Sequence, residues 1–217
     1  MIKPTIIFYL LFLFTQQLFA QEKQEKVIFL ELQEGGDLEH LFVKSGEQRL
    51  TFVYQPDSFV ELNLLRGDSI LINWEDRVLE LAGDTGTVRE KVVTKILKIK
   101  DSKILDFRSK YGKELVFQYP MDSNYTETFK DYLYNWVEYY LTISKTLPVE
   151  DLIIDKSNTI FYSIEDAEKN GRSYTLIGIG VKSSPENSSI LQWLYLDNES
   201  HQMYEYDLGK DELIEII

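Results

Sequence analysis

The sequence predicts an α+β protein: an N-terminal antiparallel β meander or small barrel, a helical middle segment, and a C-terminal antiparallel sheet packed on an amphipathic helix. Three observations carry this. Residues 27–81 hold short runs rich in β-branched, leucine and aromatic residues, cut by turn residues every few positions. Tyr125, Phe129, Tyr132, Leu133, Trp136, Val137, Tyr140 and Leu141 recur at helical spacing and form one apolar stripe. From residue 159 onward strand-like runs return, joined by Lys169-Asn170-Gly171, Pro185-Glu186-Asn187 and Asn198-Glu199-Ser200. The chain divides into residues 1–20, 21–84, 85–147 and 148–217, the last able to form one domain with 114–147.

Residues 1–20 read as a secretory signal peptide. One cation (Lys3) precedes an apolar run over 6–14, and a small residue, Ala20, stands at the expected cut. The run is about half of the roughly 20 apolar residues that a membrane-spanning helix needs. Cleavage leaves Gln21 as the mature start and places the protein in the periplasm or outside the cell, with no membrane span. With no cysteine in the chain, lipid attachment at the cut, disulfides and thiolate metal sites are chemically closed. The Ala-Gln cut, Lys/Glu-rich mature start and abundant Ile, Tyr, Asn and Lys resemble the composition of small exported bacterial proteins.

In the first β part, runs over 27–32, 40–44, 49–54, 59–63, 69–74 and 77–81 alternate with turns such as Ser45-Gly46 and Gly67-Asp68. Spacing this short implies hairpins. In the middle, Thr87-Val88-Arg89-Glu90 has the form of a helix-opening capping box. Val88, Val92, Val93, Ile96 and Leu97 follow at helical spacing, although their β-branching leaves a strand open over 92–99. Asp101-Ser102 can divide this segment, and Gly112 can end it. Asn124, with Glu127 three residues on, is expected to cap the aromatic helix, and Glu127, Lys130, Asp131, Glu138 and Lys145 are expected off its stripe. In the last part, Gly178 and Gly180 share one strand face and leave a trough for a bulky neighbour, with Trp136 or Tyr140 as the expected occupant.

A formal net charge of −13 repels phosphates and anionic headgroups, which argues against nucleic acid as a partner. The charge is uneven. Residues 89–113 carry nine cations against three acids, and Lys95, Lys98 and Lys100 are candidate docking residues for an acidic envelope protein or glycan.

Few motifs carry chemistry. Asp84-Thr85-Gly86-Thr87 matches the aspartic-protease core, where a carboxylate on a tight turn shares a proton with a second one. No second such string exists, so Asp84 is a catalytic candidate only as part of a dimer. Arg66-Gly67-Asp68 spells an adhesion tripeptide, but Gly-Asp between strands is ordinary hairpin chemistry. Lys210-Asp211-Glu212-Leu213 spells a retention signal away from the C-terminus, where it is not read. His40 and His201 have no partner at metal-ligand spacing, so no metal or cofactor is expected. Trp193, Tyr195, Tyr204 and Tyr206 are candidate ligand-binding rings; the competing expectation seats them under the aromatic helix. The functional expectation is an exported, non-catalytic binding or accessory protein of the bacterial envelope. The alternatives are an exported carboxylate-dependent hydrolase, aspartic-protease-like or glycosidase-like, and an assembly accessory docking through the basic segment.

Overall fold

The computed structural model describes residues 22–33, 35, 37–56, 62–81, 86–118, 125–147, 149–154, 158–184 and 187–216. The signal-peptide expectation, Asp84 and Asn124 lie outside them. The described chain is mostly β. Five strands, β1 (Lys23–Gln33), β2 (His40–Ser45), β3 (Gln48–Tyr54), β4 (Ser69–Glu80) and β5 (Thr87–Lys100), form a closed barrel in the order β1-β2-β3-β5-β4. All pairings are antiparallel except β3 with β5. The interior is filled by Val27, Phe29, Leu41, Val43, Phe52, Tyr54, Ile70, Ile72, Trp74 and Val93, leaving the barrel a core rather than a pore.

Residues 87–100 are therefore a strand, not the expected helix. The misleading period has a physical cause. Opposite β4, β5 carries an extra residue at Thr94 and another at Ile99, because the register passes from Asn73↔Lys95 to Trp74↔Val93 and from Ser69↔Lys100 to Ile70↔Lys98. Each bulge shifts the inward phase by one. Val92 and Val93 face opposite sides of the strand and are both buried, one in a small outer cluster with Val53 and Leu79 and the other inside the barrel. Alternation interrupted this way imitates a period of 3.6. The first helix, α1 (Lys103–Tyr111), begins just after the strand. Ser102 caps it by accepting from the Ile104 N–H, and Gly112 ends it at φ 66°, as the sequence predicts.

The longest helix, α2 (Glu127–Ile143), is capped by Thr126, whose hydroxyl accepts from the Phe129 N–H at 3.2 Å. Thr126 takes the role expected of Asn124. Glu127 becomes the first helical residue, where its charge suits the helix dipole. The short α3 (Val149–Ile154) follows. A six-stranded sheet runs β11-β10-β9-β8-β7-β6, with β6 (Val116–Gln118), β7 (Thr159–Lys169), β8 (Arg172–Ser184), β9 (Asn187–Asp197), β10 (Met203–Asp207) and β11 (Glu212–Glu215). Only β6 and β7 pair in parallel.

One face of this sheet, with Ile160, Tyr162, Ile164, Ile177, Ile179, Leu194, Leu196 and Met203, shares a core with Leu133, Trp136, Val137, Tyr140 and Leu141 of α2. The helix buries a wider arc than its stripe. Glu138, expected off it, is 1% exposed and receives two hydrogen bonds from Arg108, at 2.7 and 2.6 Å. Tyr139, also buried, lies against Gly67 of the barrel. Leu30, Phe42 and Leu65 of the barrel part join the core of α2 and the sheet.

Candidate functional site

A cavity of about 590 Å³ lies where the barrel, the start of α2 and the C-terminal sheet meet. Its lining includes Glu31 from β1, Phe129 and Tyr132 from α2, and Asp166, Asp197 and His201 from the sheet and its turns. Thr126, Thr128, Thr175 and Asn198 add hydroxyls and an amide.

The local backbone explains the meeting. Between Phe29↔Val43 and Glu31↔Phe42, β1 carries an extra residue, Leu30. This bulge turns Leu30 into the neighbouring core and sets Glu31 beside His201. His201 sits in the β9–β10 turn at φ 55°, an uncommon conformation for a non-glycine residue. The Asp197 carboxylate holds that turn by accepting from the backbone N–H groups of Glu199 and Ser200, at 2.9 and 2.8 Å. The His201 N–H in turn donates to the Asp197 carbonyl.

His201 Nδ1 lies 2.9 Å from Glu31 Oε1. Burial alone would raise the Glu31 carboxyl. The hydrogen bond from His201 and the nearby Arg66 and His201 charges outweigh it and hold Glu31 below its ordinary range. An ionised carboxylate only accepts, so Nδ1 carries the shared proton. Behind Glu31 lies Arg66, 5% exposed, with Nη2 3.4 Å from Glu31 Oε2 and its guanidinium 3.5 Å from the centre of the Trp136 ring. Burial lowers the Arg66 pKa to about 10, leaving it charged at neutral pH. The Tyr132 ring meets His201 edge-on at 5.9 Å. Burial, reinforced by the Glu31 charge, pushes the Tyr132 phenol up to about 12, against the opposing pull of Arg66 and the Trp136 indole N–H. Arg49 closes the group from the barrel side, donating to the Ser200 carbonyl at 2.9 Å.

The residues singled out from sequence fall elsewhere. Trp193, Tyr195, Tyr204 and Tyr206 do not lie under α2. They stand half-buried on the opposite sheet face, since Leu194, Leu196 and Met203 take the inward positions. Tyr195 meets Tyr174 and Tyr206 at 5.4 and 5.5 Å with ring planes 79° and 56° apart, so these rings pack mainly on one another. The trough at Gly178 and Gly180 is filled by Trp193 and Phe161, from the flanking strands, not by Trp136 or Tyr140. Lys95 and Lys100 are exposed. Lys98 is committed to the fold through Asp68, which is fully buried, at 2.9 Å, and through Asp101 at 2.6 Å.

Arg66-Gly67-Asp68 is a buried turn, which closes the adhesion reading. Phe29 N–H donates to the Asp68 carbonyl, and the Asp68 carboxylate accepts from the N–H groups of Leu65 and Ser102. Among the described residues no group of three or more His, Asp or Glu side chains could hold a metal ion. No described helix is long and apolar enough to cross a membrane. Sequence reasoning missed Glu31, Arg66, Tyr132 and His201 as a group. They come from four separate parts of the chain, and no local spacing links them.

No protein-family model matches the chain, and no curated protein matches it. Solved structures similar to it include one assigned as an aspartyl-tRNA synthetase from Leishmania major Friedlin, at 6% identity and a TM-score of 0.29, covering 77% of this chain and 46% of that one. Another is the aspartyl-tRNA synthetase from Entamoeba histolytica, at 8% identity and a TM-score of 0.29, covering 76% of this chain and 48% of that one. This chain spans about half the length of each. Likeness at that level carries no conclusion about activity.

Proposed function

We propose that the protein is an exported, non-catalytic binding protein of the bacterial envelope, periplasmic or secreted, that holds a small polar ligand such as a glycan fragment in the seam cavity. The observation that carries this is the cavity itself. Its volume of about 590 Å³ falls within the ~300–1,000 Å³ of small-molecule sites, and its lining combines aromatic rings with hydroxyl, amide and carboxylate groups. The barrel interior is filled, which directs a ligand to the seam.

The hydrolase alternative is less well supported. A carboxylate-pair hydrolase needs one carboxyl kept protonated as the acid. Burial would raise Glu31 and Asp197 alike. Hydrogen bonds and nearby cations overcome it at both, and both lie below their ordinary range. Export is supported by the layout of residues 1–20.

The test is native mass spectrometry of the protein purified gently from its host's envelope fraction. A mass starting at Gln21 with a retained small molecule is the expected result. A full-length mass that includes Met1 overturns the export reading, and a protein bare of any ligand overturns the binding reading.

A further inference from the structure

The two ring nitrogens of His201 have different surroundings. Nδ1 donates to the ionised Glu31 carboxylate at 2.9 Å, and this contact keeps the proton of the neutral ring on that side. Nε2 of the neutral ring is then a bare acceptor. No described residue donates to Nε2, and the atom is not sealed from solvent. The ring lines the seam cavity, and Nε2 points roughly away from the Glu31 contact.

The rest of the lining has the same polarity. No lysine or arginine lines the cavity. Of its carboxylates, Glu31 is matched by His201 and by Arg66 behind it, and Asp197 by Arg172 and two backbone N–H groups. The Asp166 carboxylate is exposed and has no partner among the described residues. An acidic ligand therefore finds no cation on this wall, and a cationic one finds both buried carboxylates already taken. The open groups are two acceptors, His201 Nε2 and Asp166. Beside them stand the half-buried Phe129 and Tyr132 rings, 6.3 Å apart with planes 23° from parallel, which form an apolar wall.

The geometry points to His201 Nε2 as the residue atom that selects the ligand of the seam cavity: it accepts from a hydroxyl of a neutral sugar whose C–H face packs on Phe129 and Tyr132, with Asp166 accepting from a second hydroxyl. The inference rests on the cavity reading and narrows it to uncharged sugars. Neutral sugars suit this wall because they combine several O–H donors with an apolar ring face. Glu31 acts here through His201, by keeping Nε2 free of its proton.

His201→Asn is the sharpest variant. Asparagine tolerates the left-handed backbone of this turn, at φ 55°, and its amide N–H can take the place of Nδ1 against Glu31, but it has no counterpart of Nε2. Asp166→Ala removes the second acceptor from an exposed position and serves if the first variant does not fold. The purified protein and both variants are titrated with glucose, glucuronate and glucosamine at neutral pH and constant ionic strength. Binding is followed by tryptophan fluorescence, and the thermal midpoint reports the fold. Nitrogen NMR of the histidines, at alkaline pH where the ring is neutral, reads the tautomer without any ligand.

The expected results are a bare Nε2 in the free protein, a His201 Nε2 resonance that shifts on adding glucose, and saturable glucose binding at least about tenfold tighter than glucuronate and no weaker than glucosamine. Each variant should bind glucose about tenfold more weakly with an unchanged midpoint, the loss of one hydrogen bond. A proton on Nε2 in the free protein, unchanged glucose affinity in folded His201→Asn or Asp166→Ala, or tighter binding of either charged sugar overturns the inference and leaves the cavity reading standing. If none of the three sugars binds, the inference fails; the cavity reading fails with it only when the host-purified protein is also bare.

Discussion

Glu31 and His201 meet at 2.9 Å across 170 residues of chain, joining the β1 bulge to the β9–β10 turn. Arg49 supports the junction by reaching the Ser200 carbonyl and Gln202. The cavity wall is thus built from the contact that ties the two sheets together. Ligand binding and inter-sheet stability are expected to respond to the same substitutions.

Acid should weaken this junction. The folded Glu31 carboxyl is held below its ordinary 4.5 by the His201 hydrogen bond and nearby positive charge, despite burial. Its stabilisation is therefore complete above about pH 4.5 and is lost as pH falls through the depressed value. Glu31→Gln should cost about 2–4 kcal/mol at pH 7, because Arg66 stays buried without its counter-charge. It should also flatten the loss of stability below pH 4.5. Urea unfolding of both proteins at neutral and acid pH is the measurement, and parallel pH slopes would refute the assignment.

Arg108 and Glu138 offer a second test, because one partner is buried and the other is not. Glu138 sits in α2 at 1% exposure, while the Arg108 side chain is 42% exposed. Arg108→Met should strand the carboxylate and cost about 3 kcal/mol, the low end for a broken buried pair, since water can reach the vacated side. Glu138→Leu in the same background should recover most of that loss, because the stranded charge is then gone. If the double variant is as unstable as Arg108→Met alone, packing rather than charge sets the cost.

What the sequence showed and what it hid follow one physical line. The α2 stripe was legible because helical spacing and burial agree over four turns, and Gly112 was legible because a left-handed stop favours glycine. The β5 strand was hidden by its two bulges, which leave no clean alternation to read. Glu138 looked solvated because its partner, Arg108, lies in another helix. Trp193 and Tyr195 were correctly placed on one sheet face, but alternation does not say which face the helix covers. The seam was invisible for the same reason. Glu31, Arg66, Tyr132 and His201 become a site only when a bulge, a buried turn, a helix and a hairpin are assembled.

Gly67 is the most constrained glycine of the barrel–helix contact. It has φ 88°, and an added Cβ would stand 2.7 Å from Tyr139 Cε2 and 3.2 Å from Ser102 Cβ. Gly67→Ala combines left-handed strain with a clash against a buried ring, and should cost about 2–4 kcal/mol. Gly46→Ala is the control. It shares the left-handed backbone at φ 59° but meets no atom within 4 Å, so its cost should stay near about 1 kcal/mol. Equal losses in the two variants would show that backbone strain alone is at work and that Tyr139 yields freely.

Of the three candidate docking lysines of β5, Lys98 is structural, while Lys95 and Lys100 are exposed. Lys98 is the cation beside Asp68, whose carboxylate is fully buried and already accepts from Leu65 and Ser102. Lys98→Glu removes that cation and places a like charge against Asp68. A loss of about 2–4 kcal/mol is expected. Lys95→Glu and Lys100→Glu lie on exposed positions and should stay within about 0.5 kcal/mol of the parent. The pair Lys95→Glu/Lys100→Glu is therefore the clean probe of docking to an acidic envelope partner, because the fold survives it. Capture of an acidic glycan that persists unchanged in this pair removes β5 from the binding surface. Loss of capture with an unchanged thermal midpoint assigns the docking role to these two lysines.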